Sequence, residues 1–600
     1  MDRPINKEEI LSLAREHVST VREKIKEEIQ EVDVSLQRKL LEKKNNASDE
    51  VAHKLFQLFS DRLDQLHHLF PSPYFSRCDI RSKTGEEKSF YFSKFSLHDQ
   101  SIFSWMTAAA RIRFAEIGSA SFELPDKTTW SGELIRKDQF MIVNGKIIFL
   151  SSESDSYGRT LVHQEKLSQQ KAGFMLPEIV ERMEKAQDDV IRAPAFGSFL
   201  IAGPAGSGKT TLALHRLAYL LQSPDTASQF ENQDMIVFVQ DHGTQAYFSR
   251  LLPDLGIHNV QIVTFGEWAI ERLKLKEYTF VRRPNGVDEE IDGFESRKCQ
   301  ALRALPENLK ASRAPALSLL SAYESVFTQN DQKRFKKQLE EKQLDRFDLS
   351  ILLKLTLTSG PLTRLQEYIT QKKNFEITRS FKDVPLEYSL IVVDEAQNYL
   401  AEQVDLLRTC ISKRTKAMLY VGDLEQQVLL GTVRDWTHVG ETFGEGQKVK
   451  LEKVYRNTKK ILEYLQEIGF NVSAPEGLRE GTPVVDVACS FEEEIDRLKA
   501  IVDSIDSNRH IGILSPSSEY LQSLRSEFET KSNVHILTIH EAQGVEFECV
   551  CVVGVDETFF NAPNLTEERL RIKKDLIYVG LTRAMDELYV FGRMRLGEMM

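Results

Sequence analysis

Residues 203–210 read "GPAGSGKT", a G-x-x-x-x-G-K-[ST] spacing set between an apolar strand pattern, "FLIA", and a helical one, "TLALHRLAYLL". Gly203, Gly206 and Gly208 free the backbone to turn N–H groups toward phosphate oxygens. Lys209 supplies a cation for the outer phosphates, and the Thr210 hydroxyl is a hard ligand for Mg²⁺. Downstream, "LIVVDEAQ" ends an apolar run in Asp394 and Glu395. Asp394 suits Mg²⁺ and its water shell, and Glu395 suits the orientation and deprotonation of an attacking water. Together they predict a nucleoside triphosphatase.

Further stretches bring a family into view. "YVGDLEQQ", "VYRNT", "LTIHEAQGVEF" and "LIYVGLTRA" follow "DEAQ" in that order. With the P-loop and "DEAQ" they resemble the motifs of superfamily 1 helicases of the UvrD/Rep type over residues 180–600. The resemblance implies an α/β fold of two RecA-like P-loop NTPase domains using ATP and Mg²⁺. It places Gln426 near the terminal phosphate, Tyr455 against the nucleotide, and Arg456 and Arg583 as arginine fingers. It also puts Thr211 and Glu546 among the nucleotide contacts and Gln187, in "KAQDDVI", at the adenine. Two arginines delivered from a second sheet would sense the γ-phosphate and drive closure on ATP.

The elements that must position these residues are legible as texture. Apolar positions from Leu13 to Leu40 recur every three or four residues, pause at "KKNNASDE", and resume from Val51 to Leu66. That predicts two helices in an antiparallel coiled-coil arm over 1–70, either projecting or folded onto the body. Residues 71–170 show short alternating runs, and Asn144-Gly145 between "FMIV" and "KIIFL" is a hairpin signal. This predicts a small β-rich module. From about residue 171 apolar runs alternate with helical stretches, as in parallel α/β sheets. The strands read as "FLIAG", "MIVFVQ", "VQIVTF", "LIVVDEA", "AMLYVGD", "VVDVA", "HIGILSP", "HILTIH", "CVCVVGVD" and "LYVFG". Domain 1A is expected at 171–280 and 381–445, a helical 1B-like insertion at 281–380, and domain 2A at 446–600.

Bulk properties narrow the setting. Six scattered cysteines include no C-x-x-C pair, which argues against a structural zinc or a disulfide framework. No apolar run reaches the ~18–20 residues of a membrane span, so a cytoplasmic location is expected and no membrane partner. A net charge of -12 disfavours indiscriminate coating of nucleic acid and leaves room for a protein partner.

The load is the open question. A 3′ to 5′ DNA helicase or translocase of the UvrD/Rep type, in repair or defence and acting on single-stranded or duplex DNA, is one reading. Three departures weigh against it: the short span from Tyr455 to Thr538, Gln543 where the family has Lys, and "QVLLGTVRDW" after Gln426, with only Trp436 as a nearby aromatic. "TLALHRLAYLL", "YFSRLLPDLGIHNVQIVTF", "LDRFDLSILLKL" and "SPYFSRCDI" resemble the HelD group, relatives that bind RNA polymerase and use ATP to free it from nucleic acid. That resemblance implies RNA polymerase as partner, through residues 1–70 and 281–380. It also has gaps. Only Trp105 of the group's D-W-R-A-P run survives in "SWMTAAA", and Asp49 and Glu50 are the only acidic candidates at the arm's tip.

Overall fold

The computed structural model describes residues 7–45, 50–123, 129–154, 157–164 and, short stretches such as 205–206, 452–456 and 543–544 apart, residues 185–600. The chain divides into two compact units: Met1–Ala193 with Leu214–Asn232 and Ser249–Asn259, and Pro194–Ala213 with Gln233–Phe248 and Val260–Met600.

The first unit opens with two helices, Lys7–Asn45 and Glu50–Leu69. Arg22 Nε donates to Phe70 O at 3.0 Å and Arg62 Nε to Glu28 Oε1 at 2.8 Å. Positions therefore rise along one helix as they fall along the other, and the pair is antiparallel. Ala14, Val18, Val21 and Ile25 share a core with Leu66, Leu69 and the sheet-side residues Tyr74, Tyr91, Phe140 and Leu150. Val34, Leu40, Leu55 and Leu58, nearer the turn, are exposed. The base of the hairpin is laid on a sheet, while these four positions face water. The tip, including Asp49, lies outside the described residues.

That sheet has seven strands between Ser76 and Gln164, antiparallel except where Glu87–Ser93 meets Ile102–Ser104. Asn144 and Gly145 adopt φ of +50° and +79° and join Val143 to Lys146 in register. A two-residue turn with both φ positive matches the twist of its strands.

The second unit holds two large, wholly parallel sheets. The first runs Gln261–Thr264, Met235–Val239, Leu390–Val393, Ala417–Gly422, Ser198–Ala202, Lys448–Lys450. The second runs Val485–Ala488, Ala584–Gly592, Phe547–Val552, Ile511–Ser515, Val534–Thr538. Strands such as "MIVFV" and "LIVV" are buried on both faces, as the interior of a parallel sheet requires. Between Gln261–Thr264 and Leu390–Val393 come helices Asp288–Arg303, Pro315–Tyr323, Gln329–Glu340 and Arg346–Leu357, which share one apolar core with the first sheet.

The expectation of a helical insertion over 281–380 takes one correction. Thr363–Gln371 and Ile377–Pro385 pair as an antiparallel hairpin. Their β-branched Thr363, Ile369, Thr370, Ile377, Thr378 and Val384, following Gly360 and Pro361, favour strand over helix.

Candidate nucleotide site

In the second unit the predicted chemistry gathers where strands of the first sheet end. Ser198–Ala202 delivers Gly203, whose φ is +152° and where a Cβ would stand 2.5 Å from Leu451 O. Glycine is required there by both backbone conformation and space. Gly208 is also left-handed, at φ +85°, immediately before the helix Lys209–Gln222. Lys209 is buried and donates to Pro204 O at 3.0 Å, and the buried Ser207 hydroxyl has no hydrogen-bond partner among the described residues. Gly206 lies outside the described residues.

Leu390–Val393, two strands away in the same sheet, delivers Asp394 beside the P-loop helix. Thr210 Oγ1 donates to Asp394 Oδ1 at 3.2 Å. Burial, then the neighbouring charge of Glu395, pushes the Asp394 carboxyl up to about 7, against the opposing pull of Lys209. A buried carboxylate held this uneasily beside a hydroxyl is a hard-oxygen pair that a divalent cation would relieve, so the residues fit Mg²⁺.

Glu395 sits at φ +48°, rare for a residue with a side chain and found where a side chain must be aimed. Its Oε2 accepts from Gln397 Nε2 at 2.6 Å, and Gln397 Oε1 accepts from Asp423 N at 3.0 Å. Gln426 Nε2 closes the run by donating to Asp423 Oδ2 at 2.7 Å. One line of hydrogen bonds therefore connects Glu395 to Gln426. Gln397 is its hinge, and sequence reading missed it although it is the last letter of "DEAQ".

From the second sheet, the helix Glu567–Leu581 ends just before Arg583, which is buried and donates from Nε to Val579 O at 3.0 Å. Tyr455 and Arg456 lie outside the described residues. The next residue, Asn457, is buried and donates to Thr582 O at 3.2 Å and Ala584 O at 2.6 Å. The Y-R stretch therefore ends against the residues that flank Arg583. Gly203, Pro204, Asp423 and Lys450 of the first sheet and Phe470, Asn471 and Tyr578 of the second line one cavity of about 60 Å³. Thr211, on the P-loop helix, and Glu546 are half-buried. Trp436 packs against Tyr420 and Phe443, with ring centroids 5.4 and 5.8 Å away, and so belongs to an aromatic cluster.

The first unit carries Gln187, half-buried on the helix Lys185–Ile191. Its neighbour Asp188 is buried and paired with Arg192 at 2.9 Å. Arg192 also donates to Trp105 O at 2.7 Å and Met106 O at 3.0 Å. Trp105 in turn meets His215 edge-on, with ring centroids 5.6 Å apart. Arg216, buried and held down to about 10 by desolvation, donates to Val190, Ile191 and Ala193 carbonyls at 2.9, 3.2 and 3.0 Å. The "HR" of "LALHRLAYLL" thus docks the end of Gln187's helix, a role that its apolar spacing did not announce.

Residues 187–432 match the AAA domain family and residues 492–592 the UvrD-like helicase C-terminal domain family. Two parallel sheets, a P-loop and an acidic pair define a P-loop nucleoside triphosphatase with two RecA-like domains. Over these matches the chain is similar to superfamily 1 helicases of the UvrD/Rep type, and its matched domains are those of an ATP-hydrolysing, helicase-like enzyme.

DNA helicase II of Escherichia coli is 42% identical over 57 residues, 9% of this chain and 8% of that protein. ATP-dependent DNA helicase PcrA of Staphylococcus epidermidis is 23% identical over 314 residues, 48% of this chain and 40% of that protein. ATP-dependent DNA helicase Rep of Buchnera aphidicola is 33% identical over 60 residues, 10% of this chain and 9% of that protein. The matched region is less than half the length of each of these relatives. Among the described residues no helix is long and apolar enough to cross a membrane.

Proposed function

We propose that the chain hydrolyses ATP between its two parallel sheets and uses the cycle, as a HelD-like motor, to remodel RNA polymerase or release it from nucleic acid. The observation carrying the chemistry is the Thr210–Asp394 pair at 3.2 Å beside a left-handed Glu395. Glu395 takes the proton of the attacking water while Lys209 and the P-loop N–H groups hold the phosphates. Thr210 and Asp394 would hold Mg²⁺, which would supply neutralising charge for the outer phosphates. Arg456, Arg583 and Gln426 face the γ-phosphate, Tyr455, Thr211 and Glu546 contact the nucleotide, and Gln187 keeps its assignment to the adenine by resemblance alone.

For the load, the support is architectural. A helical hairpin is seated on its own β-module, and Val34, Leu40, Leu55 and Leu58 are exposed toward its turn. Trp436 is packed into an aromatic cluster, which leaves it unsuited to stack on a base. Between Asn457 and Thr538 the described elements are three helices and three strands, and all three strands belong to the second sheet. A second reading, a 3′ to 5′ DNA helicase or translocase in repair or defence, is favoured by the relatives' own names.

A pull-down separates them. The polymerase reading expects RNA polymerase to co-purify with the full chain and to be lost when residues 1–70 are deleted. Undiminished capture without the hairpin would overturn the role of the arm. Strong stimulation of ATP turnover by single-stranded DNA, with unwinding of a 3′-tailed duplex, would establish the helicase reading instead.

A further inference from the structure

Gln427, the residue after Gln426, is buried and held from both sheets. Its N–H donates to Asp575 Oδ2 at 3.2 Å, its side-chain carbonyl accepts from Arg571, and its side-chain nitrogen donates to Val433 O. The next two residues, Val428 and Leu429, lie in the apolar core of the second sheet with Ile461, Ile539 and Leu576. A loop that leaves the first sheet at Gly422 is therefore anchored in the second.

Arg571 and Asp575 stand four residues apart on the helix Glu567–Leu581, so they share one face. The same helix ends two residues before Arg583, which folds back onto Val579. An α-helix is stiff over such a length, about 15 Å from Arg571 to its last residue, Leu581. Its middle grips the neighbour of Gln426, and its end carries the arginine.

We infer that Gln427, Arg571 and Asp575 form a clasp that sets Gln426 and Arg583 relative to each other, making the phosphate-facing groups of the two sheets one sensor. This rests on the assignment of Gln426 and Arg583 to the γ-phosphate. The three are positioning residues. The run Glu395–Gln397–Asp423–Gln426 extends the coupling from the clasp to the general base.

The test is steady-state ATP turnover of full-length Arg571→Ala, Asp575→Asn, Gln426→Ala, Arg583→Ala and the conservative Arg571→Lys, each with its urea unfolding midpoint. Arg571→Ala and Asp575→Asn should lower kcat by about tenfold to a hundredfold with KM for ATP nearly unchanged, because misplacement is felt in the transition state. Their double variant should be no worse than the more severe single one, and Arg571→Lys should retain most activity. Arg571 is itself largely exposed, so its removal leaves the fold intact. Unchanged kcat in the clasp variants, with loss in Gln426→Ala and Arg583→Ala, would overturn the clasp. A fall in kcat that merely tracks the unfolding midpoint would also overturn it. Full activity in Gln426→Ala and Arg583→Ala would instead overturn the phosphate assignment beneath it.

Discussion

Asn457 holds Arg583 by its neighbours: one side-chain amide donates to the carbonyls of Thr582 and Ala584, on either side of the arginine. The segment that leads into the helix Lys459–Glu467 and the end of the helix Glu567–Leu581, far apart in the chain, are thereby locked together. Asn457→Ala would leave two carbonyls without their donor, at a cost of about 1–3 kcal/mol. Urea unfolding should register that loss, and ATP turnover should fall further than stability alone explains, because Arg583 loses its fixed setting. Turnover at the level of the unsubstituted chain would remove Asn457 from the account.

A second prediction concerns the helical insertion. Lys298 is fully buried, with Nζ 2.6 Å from Asp345 Oδ2, 2.8 Å from Asp348 Oδ1 and 3.2 Å from Gln338 Oε1. Tyr323 donates to Asp348 Oδ1 at 2.6 Å, and the rings of Phe294 and Phe335 face the ammonium at 4.6 and 4.9 Å. Burial, then Asp345, pushes the Asp348 carboxyl up to about 6, so the cluster depends on its single cation. Lys298→Met should cost about 3–5 kcal/mol, since it strands two carboxylates in the core. A shift in the urea midpoint of less than about 1 kcal/mol would show that the cluster relaxes without its lysine.

The base of the helical hairpin should loosen in acid. His17 stacks on Tyr91 with ring centroids 4.1 Å apart, and its Nδ1 is hydrogen-bonded to the Tyr74 hydroxyl at 2.9 Å. Burial, and then the Arg77 charge, lowers its pKa from 6.5 to about 4. The folded form thus binds fewer protons than the unfolded form between these values. Its contribution is present above pH 6.5 and is lost as pH falls toward 4. The loss amounts to about 1–3 kcal/mol after allowance for partial exposure. Urea melts of the full chain at stepped pH should show this slope, and His17→Phe should flatten it. An unchanged slope in His17→Phe would place the acid sensitivity elsewhere.

Much of the two-sheet fold was legible in sequence because parallel strands, most of them largely buried, leave continuous apolar runs. All ten strands read that way are present, whereas Lys448–Lys450, a short "KVK" at the sheet edge, left no such trace. The P-loop and the acidic pair are contiguous letters and could be read directly. Gln397, Gln427, Asn457 and Asp575 act through partners whose spacing in the chain carries no period, so no pattern pointed to them. "LDRFDLSILLKL" carried weight as a resemblance, and its Asp345 and Asp348 turn out to cap a helix reciprocally and hold Lys298. In the P-loop helix the apolar positions Leu214, Leu217 and Ala218 are buried as expected, but so are His215 and Arg216. Hydrophobic spacing cannot reveal a helix whose polar residues are buried by hydrogen bonds and ring contacts.

The central claim is that Glu395 activates the water that attacks ATP between the two sheets. Glu395→Gln in the full-length chain tests it most directly, with ATP binding and Mg²⁺-dependent turnover measured on the same preparation. The account predicts binding close to that of the unsubstituted chain and turnover reduced at least about a hundredfold. Hydrolysis at the normal rate by Glu395→Gln would contradict it.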